Sequence, residues 1–255
     1  MRVFGSARKT AKFDDLRVYF TRHRLNHAVH VSKKFNYAYI SNPKAACTTI
    51  KHYLVQAELG DPEFRPKRIH QRANLPLLMP SQLSPKEREK IVDGSFFLFT
   101  FVRHPLKRAF SAYADKIYGN QKQKVEILEL LGHGPEDIER PVSFEEFMTV
   151  ISAQPPLELN PHWRPQVLNL GLEALNYDFV GRVENLTDDM RFLCETLHLP
   201  SYRIRKRNAK SHGAEVDSVI TSRARDLAAQ LYAEDYKAFG YGALDLPETA
   251  AAVGA

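Results

Sequence analysis

Three stretches of the chain have the apolar pattern of β-strands, and a segment with helical spacing follows each of them. Residues 37–40 alternate aromatic with small or branched side chains, residues 95–102 are almost continuously apolar, and residues 177–183 form a later apolar stretch. A nearly continuous apolar run is typical of a central strand in a parallel sheet. The pattern predicts an α/β fold in a single domain, with an open parallel sheet flanked by helices.

The polar segments between these stretches indicate how the domain is organised. Residues 1–36 are basic and aromatic without a clear period, and we expect an N-terminal extension there. The domain itself is expected over residues 37–242, followed by a flexible tail over 243–255. A polar excursion over residues 119–160 is expected to be a helical insertion. Its apolar spacing predicts two short helices, over 124–131 and 143–151.

Composition narrows the class of protein and its partners. The 255 residues include 36 Lys and Arg against 30 Asp and Glu, a formal charge of +6, which suits an anionic ligand. The two cysteines do not make a disulfide framework. No run approaches the ~20 apolar residues that span a bilayer, and the first fifteen residues lack the apolar core of a secretory signal. We therefore expect a soluble, cytoplasmic protein without stable membrane insertion.

The first strand leads into a loop that has the features of an anion site. Pro43 ends the apolar stretch, Lys44 follows it, and Thr48 and Thr49 open the next helix after a run of small residues. A helix start points backbone N–H groups at an anion, and a nearby lysine adds a cation. The alternative is an ordinary turn between a strand and a helix, with a solvated lysine.

The second strand leads into another candidate residue. Arg103 follows the strand directly, Pro105 begins a helix, and Ser111 lies nearly two turns into that helix. Ligands of open α/β sheets bind at the carboxyl ends of the strands. Arg103 is therefore expected to bind an anion, and a salt bridge to a nearby acid is the alternative.

The sequence of the first loop does not match the motifs of three familiar classes of phosphate-binding site. The P-loop motif needs two glycines and a lysine at its end, and this loop has no glycine. A cysteine phosphatase would place an arginine six residues after Cys47, but position 53 is tyrosine. The G-x-G-x-x-G sequence of dinucleotide-binding folds is missing.

The residues that are present resemble those of a known family. Residues 42–49, Asn-Pro-Lys-Ala-Ala-Cys-Thr-Thr, resemble the 5′-phosphosulfate loop of sulfotransferases that use 3′-phosphoadenylyl sulfate (PAPS). Residues 101–113 are similar to the 3′-phosphate motif of these enzymes. Residues 162–166 and 177–186 resemble the carbohydrate sulfotransferase branch that includes the HNK-1, chondroitin and dermatan enzymes. The sequence differs from the animal Golgi enzymes in lacking their membrane anchor and lumenal cysteine pairs, so the resemblance is to a soluble form with the sulfotransferase fold.

The resemblance implies a donor and a set of residues that bind it. The implied donor is PAPS and the implied product is adenosine 3′,5′-bisphosphate, with no metal ion, since Lys44 would neutralise charge on the leaving phosphate oxygen. Arg103 and Ser111 would bind the 3′-phosphate, and Arg207 from a late basic loop is the candidate for a further contact. The residues implied around the 5′-phosphosulfate are Pro43, Lys44, Ala45, Ala46, Cys47, Thr48 and Thr49.

The acceptor hydroxyl needs a base, and a histidine has a suitable pKa near neutrality. His70 is the first candidate, because it lies in the loop between the two donor motifs, where related enzymes place their base. His104 and His162 are the competitors, although His104 is expected to point into local packing. Three other histidines at helical spacing lack a further metal ligand nearby and are expected to be surface or packing residues: His23, His27 and His30.

The implied acceptor is a carbohydrate or glycoconjugate. His162 and Trp163 are expected to form a platform for a sugar ring. Arginines that could recognise an anionic glycan, or else be solvated, are Arg68, Arg72 and Arg164.

Two other functions remain open at this point. An ATP-dependent phosphotransferase of P-loop-like fold would need Mg²⁺ and an acidic residue at the second strand, where this chain has Arg103. A non-catalytic polyanion-binding protein would use the basic loops. The basic residues are dispersed and no nucleic-acid motif is present, so we expect no nucleic-acid partner.

Overall fold

A computed structural model of the chain describes residues 11–72, 75–119, 122–204 and 220–242. Four strands form one sheet in the order β1-β2-β3-β4. Strand β1 is antiparallel to β2, whereas β2, β3 and β4 run parallel. The strands are β1 (Val29–Ser32), β2 (Tyr37–Ile40), β3 (Phe97–Val102) and β4 (Phe179–Arg182).

The chain consists of two compact units, with divisions at Arg103/His104 and again at Pro165/Gln166. The first unit contains the described residues up to Arg103 and from Gln166 to Ile204, and therefore the whole sheet. Its helices are α1 (Arg22–Ala28), α2 (Cys47–Leu59), α3 (Pro85–Glu89), α7 (Gln166–Asn169) and α8 (Leu186–Thr196).

The second unit is helical in its described part, which comprises His104–Pro165 and residues 220–242. Its helices are α4 (Pro105–Lys116), α5 (Gln123–Leu130), α6 (Phe144–Ser152), α9 (Ser222–Leu231) and α10 (Ala233–Phe239). Across the described residues, no helix combines the length and apolar character that crossing a membrane requires.

The register of the parallel strands places two predicted loops side by side. Ile40 of β2 pairs with Thr100 of β3, and Phe99 of β3 pairs with Phe179 of β4. Strand β3 is therefore internal, as its continuous apolar run predicts. The carboxyl ends of β2 and β3 lie at the same edge of the sheet, so the segments that follow Ile40 and Val102 begin next to each other.

The predicted α/β fold, a mostly parallel sheet with flanking helices, is confirmed. The two helices predicted within residues 119–160 appear as α5 and α6, within one residue of the expected bounds. Ser84 caps α3 by accepting a hydrogen bond from the Glu87 N–H, with Pro85 at the first helical position.

Strand β1 lies in a segment where the sequence indicated no strand. Its residues are Val-His-Val-Ser, and all four are buried. The polar residues His30 and Ser32 hide the apolar pattern of a strand. His30 is accommodated because its ring stacks on Tyr39 at 5.6 Å and because it contacts the buried guanidinium of Arg72.

Each unit has its own apolar core. In the first unit the aromatic residues of β2 and β3 pack together, with the rings of Tyr39 and Phe99 stacked at 5.2 Å. In the second unit α4, α6 and α9 enclose Phe144, Phe147 and Trp163, all fully buried. The predicted insertion therefore supplies core residues of the second unit. The predicted domain boundaries at residues 36 and 242 stay predictions, and the tail over 243–255 lies outside the described residues.

Gly181→Ala is expected to destabilise the first unit. Gly181 pairs with Phe101 across β3 and β4, and a Cβ at Gly181 would lie 2.4 Å from the buried Phe101 ring. Because this ring has little room to move, the expected loss is about 1–3 kcal/mol in urea unfolding. In a Phe101→Leu background the same substitution should cost less. Equal costs in both backgrounds would show that the ring is not the cause.

Candidate active site

The loop after β2 has an unusual backbone. Lys44 and Ala46 have positive φ angles of 66° and 55°, although neither is a glycine. Such left-handed conformations cost about 1–2 kcal/mol per residue outside glycine, so surrounding contacts must hold them. Turns that combine left- and right-handed residues direct successive N–H groups into a concavity suited to an anion.

Helix α2 begins directly after this loop, at Cys47. Its N-cap residue is Ala46, whose methyl side chain cannot accept a hydrogen bond from the first turn, and the start of the helix carries the positive end of the helix dipole. Lys44 is partly exposed beside it. The loop and helix start together supply N–H groups and a cation, as the sequence predicted for an anion site.

Arg103 lies against this loop. Its Nη1 atom is 3.5 Å from the carbonyl oxygen of Lys44, a long contact that places the guanidinium next to the loop backbone. The side chain is partly exposed. The structure therefore brings the loop of Lys44 and the arginine that follows β3 to the same place, as the parallel register requires.

Gln166 joins the two strand ends through a buried amide network. Its Oε1 accepts hydrogen bonds from Asn42 Nδ2 at 2.9 Å and from the Arg103 N–H at 3.0 Å. Its Nε2 donates to the Arg103 carbonyl at 2.8 Å. Asn42 Nδ2 also donates to the Phe101 carbonyl at 3.2 Å. Gln166 and Asn42 are fully buried, so this network determines how the loop and Arg103 are placed.

Sequence reasoning missed this role of Gln166. The residue closes the His-Trp-Arg-Pro-Gln motif, so the signal was present, but its partners are 63 and 124 positions away in the chain.

His70 reaches the start of α2 from the long loop before β3. Its Nε2 lies 3.2 Å from Thr48 Oγ1, and its Nδ1 lies 3.3 Å from Lys51 Nζ. The ring also stacks on His27, with centroids 6.4 Å apart. His70 is exposed, so a substrate could reach it. The first candidate for the base thus lies next to the predicted phosphosulfate loop.

Lys51 is a second residue that sequence reasoning missed. It lies one turn after Cys47 on α2 and is fully buried. Burial lowers the pKa of its amine, with Cys47 acting in the opposite direction and the positive charge of Arg72 lowering it further. Its amine is therefore easier to deprotonate than that of an ordinary lysine.

Thr48 and Thr49 point to different sides of α2. Thr48 contacts His70, whereas Thr49 is 7% exposed and lines a small cavity on the other side. The cavity is also lined by His52, Tyr53, Gln56, Arg65, Arg203 and Ile204. Consecutive residues of a helix point in directions about 100° apart, so Thr48 and Thr49 do not approach a single ligand from the same side.

Two predicted donor-binding residues are not placed beside the loop by these contacts. Ser111 lies on α4 of the second unit and is partly exposed. Arg207 lies outside the described residues.

The competing histidines have other surroundings. His104 is 1% exposed and packs edge-on against the rings of Tyr236 and Tyr241 at 5.5 and 5.4 Å, which confirms the expected packing role. His162 lies in the second unit, with its Nδ1 2.8 Å from Asn160 Oδ1.

The predicted sugar platform at Trp163 is wrong. Trp163 is fully buried, and its ring packs edge-on against Phe147 at 5.5 Å. Its carbonyl also accepts a hydrogen bond from Tyr232 Oη at 2.7 Å. A tryptophan that forms the core of the second unit cannot present its face to a sugar.

The three arginines proposed for glycan recognition differ from one another in burial and in hydrogen bonding. Arg72 is 8% exposed and donates to the carbonyls of Asn26 and Val29, so it ties the long loop to β1 rather than facing solvent or a glycan. Arg164 donates from Nε to the Leu159 carbonyl at 3.0 Å. Arg68 is exposed.

Comparisons with known proteins identify a family and several relatives. The Sulfotransferase family profile matches residues 27–242. Carbohydrate sulfotransferase 14 of Homo sapiens is 31% identical, over 89% of this chain and 63% of its own length. Its Mus musculus counterpart is 32% identical, over 74% of this chain and 51% of its own length. Carbohydrate sulfotransferase 11 of Mus musculus is 25% identical, over 94% of this chain and 74% of its own length. The chain thus spans about half to two thirds of the first two relatives. No solved structure matches it.

Gln166→Ala is expected to loosen the two strand ends. The substitution removes the oxygen that accepts from Asn42 Nδ2 and from the Arg103 N–H, and the amide that donates to the Arg103 carbonyl. Asn42 Nδ2 keeps its bond to the Phe101 carbonyl, so stability should fall by about 1–3 kcal/mol in urea unfolding. Gln82→Ala is the matched control, because Gln82 is exposed and also accepts from a backbone N–H, that of Met79. Its cost should stay below about 0.5 kcal/mol. Similar losses for both variants would contradict the proposed importance of the network.

Proposed function

Because this chain belongs to the sulfotransferase family, we propose that it transfers the sulfuryl group of PAPS to a carbohydrate hydroxyl. One observation carries the proposal. The loop of Lys44 and the side chain of Arg103 lie together at the carboxyl ends of adjacent parallel strands. That edge is where open α/β sheets bind their ligands.

The residues at this edge fit a nucleotide with phosphates on both sides of its ribose. The left-handed loop, the start of α2 and Lys44 suit the 5′-phosphosulfate. Arg103, a planar cation next to the loop, suits the 3′-phosphate, which it can bind through two donors. Ser111 and Arg207 remain proposed further contacts to the same phosphate. When bound, PAPS supplies a sulfuryl group on a good leaving group.

The chain's own residues then have distinct tasks. Lys44 and the N–H groups at the start of α2 stabilise negative charge on the leaving phosphate oxygen. His70 Nε2 takes the proton of the acceptor hydroxyl, as the new sulfur–oxygen bond forms and the bond to the leaving oxygen breaks. Protein cations neutralise the charge, so the proposed reaction uses no metal ion.

The proposed acceptor is a carbohydrate, because the names of the relatives specify carbohydrate sulfotransferases. With Trp163 and Arg72 buried, recognition of the acceptor is proposed to involve exposed residues near His70, among them Arg68. An ATP-dependent phosphotransferase is the second candidate, and the same nucleotide measurements separate the two.

Adenosine 3′,5′-bisphosphate is expected to bind more tightly than 5′-AMP in isothermal calorimetry. Charge-assisted hydrogen bonds contribute about 1.5–3 kcal/mol, so Arg103→Ala should weaken bisphosphate binding roughly 10- to 150-fold. Binding of 5′-AMP should change little, because it lacks the 3′-phosphate. Arg17→Ala is the control, since Arg17 is an exposed arginine paired with Asp14. Equal affinity of the wild type for both nucleotides would end the 3′-phosphate assignment, and Mg²⁺-dependent preference for ATP would favour the phosphotransferase.

His70→Ala is expected to separate binding from chemistry. Because general-base catalysis contributes about 10²- to 10⁴-fold, turnover with PAPS and a carbohydrate acceptor should fall by that factor. Binding of adenosine 3′,5′-bisphosphate should persist, since the proposed phosphate ligands are intact. His23→Ala, which removes an exposed histidine of α1, should leave turnover unchanged. Full turnover in His70→Ala would assign the base to another residue.

A further inference from the structure

The exposed His70 imidazole has a buried lysine behind it. Lys51 Nζ lies 3.3 Å from Nδ1, on the protein side of the ring, while Nε2 faces Thr48 at the start of α2. An exposed base backed by a buried hydrogen-bonding group is the arrangement by which enzymes orient a catalytic imidazole. Here the buried group is a lysine, whose two protonation states have opposite effects on the ring.

The protonation state of Lys51 determines which nitrogen of His70 can act as a base. An ammonium group has only donors, so beside it Nδ1 must accept and the ring proton must sit on Nε2. Nε2 then donates and cannot take a proton from a substrate. A neutral amine can instead accept from the Nδ1–H group, which leaves the Nε2 lone pair directed toward the loop. Only the neutral amine is compatible with a base at Nε2.

Burial lowers the pKa of the Lys51 amine, which is the direction that a neutral amine requires. In the part of the chain that the structure describes, Lys51 makes no ion pair with a carboxylate, and its side chain is fully buried. Among the described residues, charged or titratable groups close to the pair include Arg72, His27, His30 and Cys47. Of these, Arg72 carries a fixed positive charge that opposes a second cation nearby, whereas Cys47 acts the other way.

We propose that Lys51 is a positioning residue, a neutral amine that accepts the Nδ1–H of His70 and thereby directs the Nε2 lone pair toward the acceptor. The inference rests on the proposed function of His70. Lys51 contacts neither donor nor acceptor in this role and acts only through the imidazole. The proton that His70 takes from the acceptor oxygen arrives at Nε2, while Nδ1 keeps its hydrogen bond to Lys51.

The tautomer of His70 tests the proposal without any reaction. In ¹⁵N NMR of the free protein, with the signal assigned by its loss in His70→Ala, the neutral ring should carry its proton on Nδ1. In Lys51→Arg, whose guanidinium can only donate, the proton should move to Nε2. A wild-type ring protonated on Nε2 across the neutral and alkaline range would overturn the proposal.

Turnover with PAPS should distinguish a positioning role of Lys51 from a role as a simple cation, because the two roles predict opposite orders of activity for two substitutions. Lys51→Gln keeps an acceptor for Nδ1–H without a charge and should retain most of the turnover. Lys51→Arg keeps the charge and should lose about 100-fold or more, the contribution expected of a general base. Both variants should bind adenosine 3′,5′-bisphosphate like the wild type. A more active Lys51→Arg, or loss of bisphosphate binding in either variant, would make Lys51 a ligand of the donor and would refute the positioning role.

The pH profile gives a readout that lost packing would not produce. In the proposed arrangement a neutral lysine and the imidazole form a coupled pair, and the first proton added to that pair would disable the base. Activity should therefore fall as the pH drops through the higher pKa of the pair. In Lys51→Gln only the imidazole titrates, so this acid limb should move to lower pH. If Lys51→Gln lowers the maximal activity but leaves the acid limb of the pH–activity profile at the same pH, Lys51 has only a structural role. Wild-type protein that transfers no sulfuryl group would refute the proposed function, and the NMR result would still decide the tautomer.

Discussion

The candidate site depends on the parallel pairing of β2 and β3. Because Ile40 and Thr100 are register partners, both chains leave the sheet at one edge, and the Thr100 hydroxyl fixes this register by donating to the Ile40 carbonyl at 2.7 Å. Gln166, whose side chain is fully buried, then joins the two exits with three hydrogen bonds. Buried amides are costly when unpaired, so the network tolerates few alternative positions of the loop. The Arg103 side chain lies 3.5 Å from the carbonyl oxygen of Lys44, one of the two left-handed residues of the loop.

Much of this arrangement could be predicted from local pattern. The apolar run that ends at Val102 identified an internal strand, and the rule for the carboxyl edge of parallel sheets placed Arg103 near the loop of Lys44. His70, chosen from the loop between the two donor motifs, lies beside Thr48 in the structure, while its role as the base stays a prediction. The predictions of the internal strand and of the position of Arg103 succeeded because periodicity and chain direction are properties of short segments.

The failures have a common physical cause, which is that a polar or aromatic residue does not reveal its partners. Trp163 resembled a sugar platform, but its large apolar surface is buried in the second unit. Arg72 resembled a ligand for an anionic glycan, yet its donors are used by backbone carbonyls. Strand β1 was missed because His30 interrupts its apolar pattern, and His30 is buried only because Arg72, 42 residues later, packs against it. Such pairings depend on tertiary structure.

The role proposed for Lys51 likewise depends on a tertiary partner, His70, that the sequence does not reveal. Residues 49–57 of α2 are all buried, although several of them are polar. The sequence of this helix therefore does not show that its lysine is buried. The choice of residue nevertheless has a physical logic. A carboxylate behind His70 would orient the ring, but it would add negative charge close to a site proposed for a doubly phosphorylated donor. A guanidinium would favour the donor but would turn the imidazole into a hydrogen-bond donor. A buried lysine can lose its proton, so it can orient the ring without adding charge of either sign.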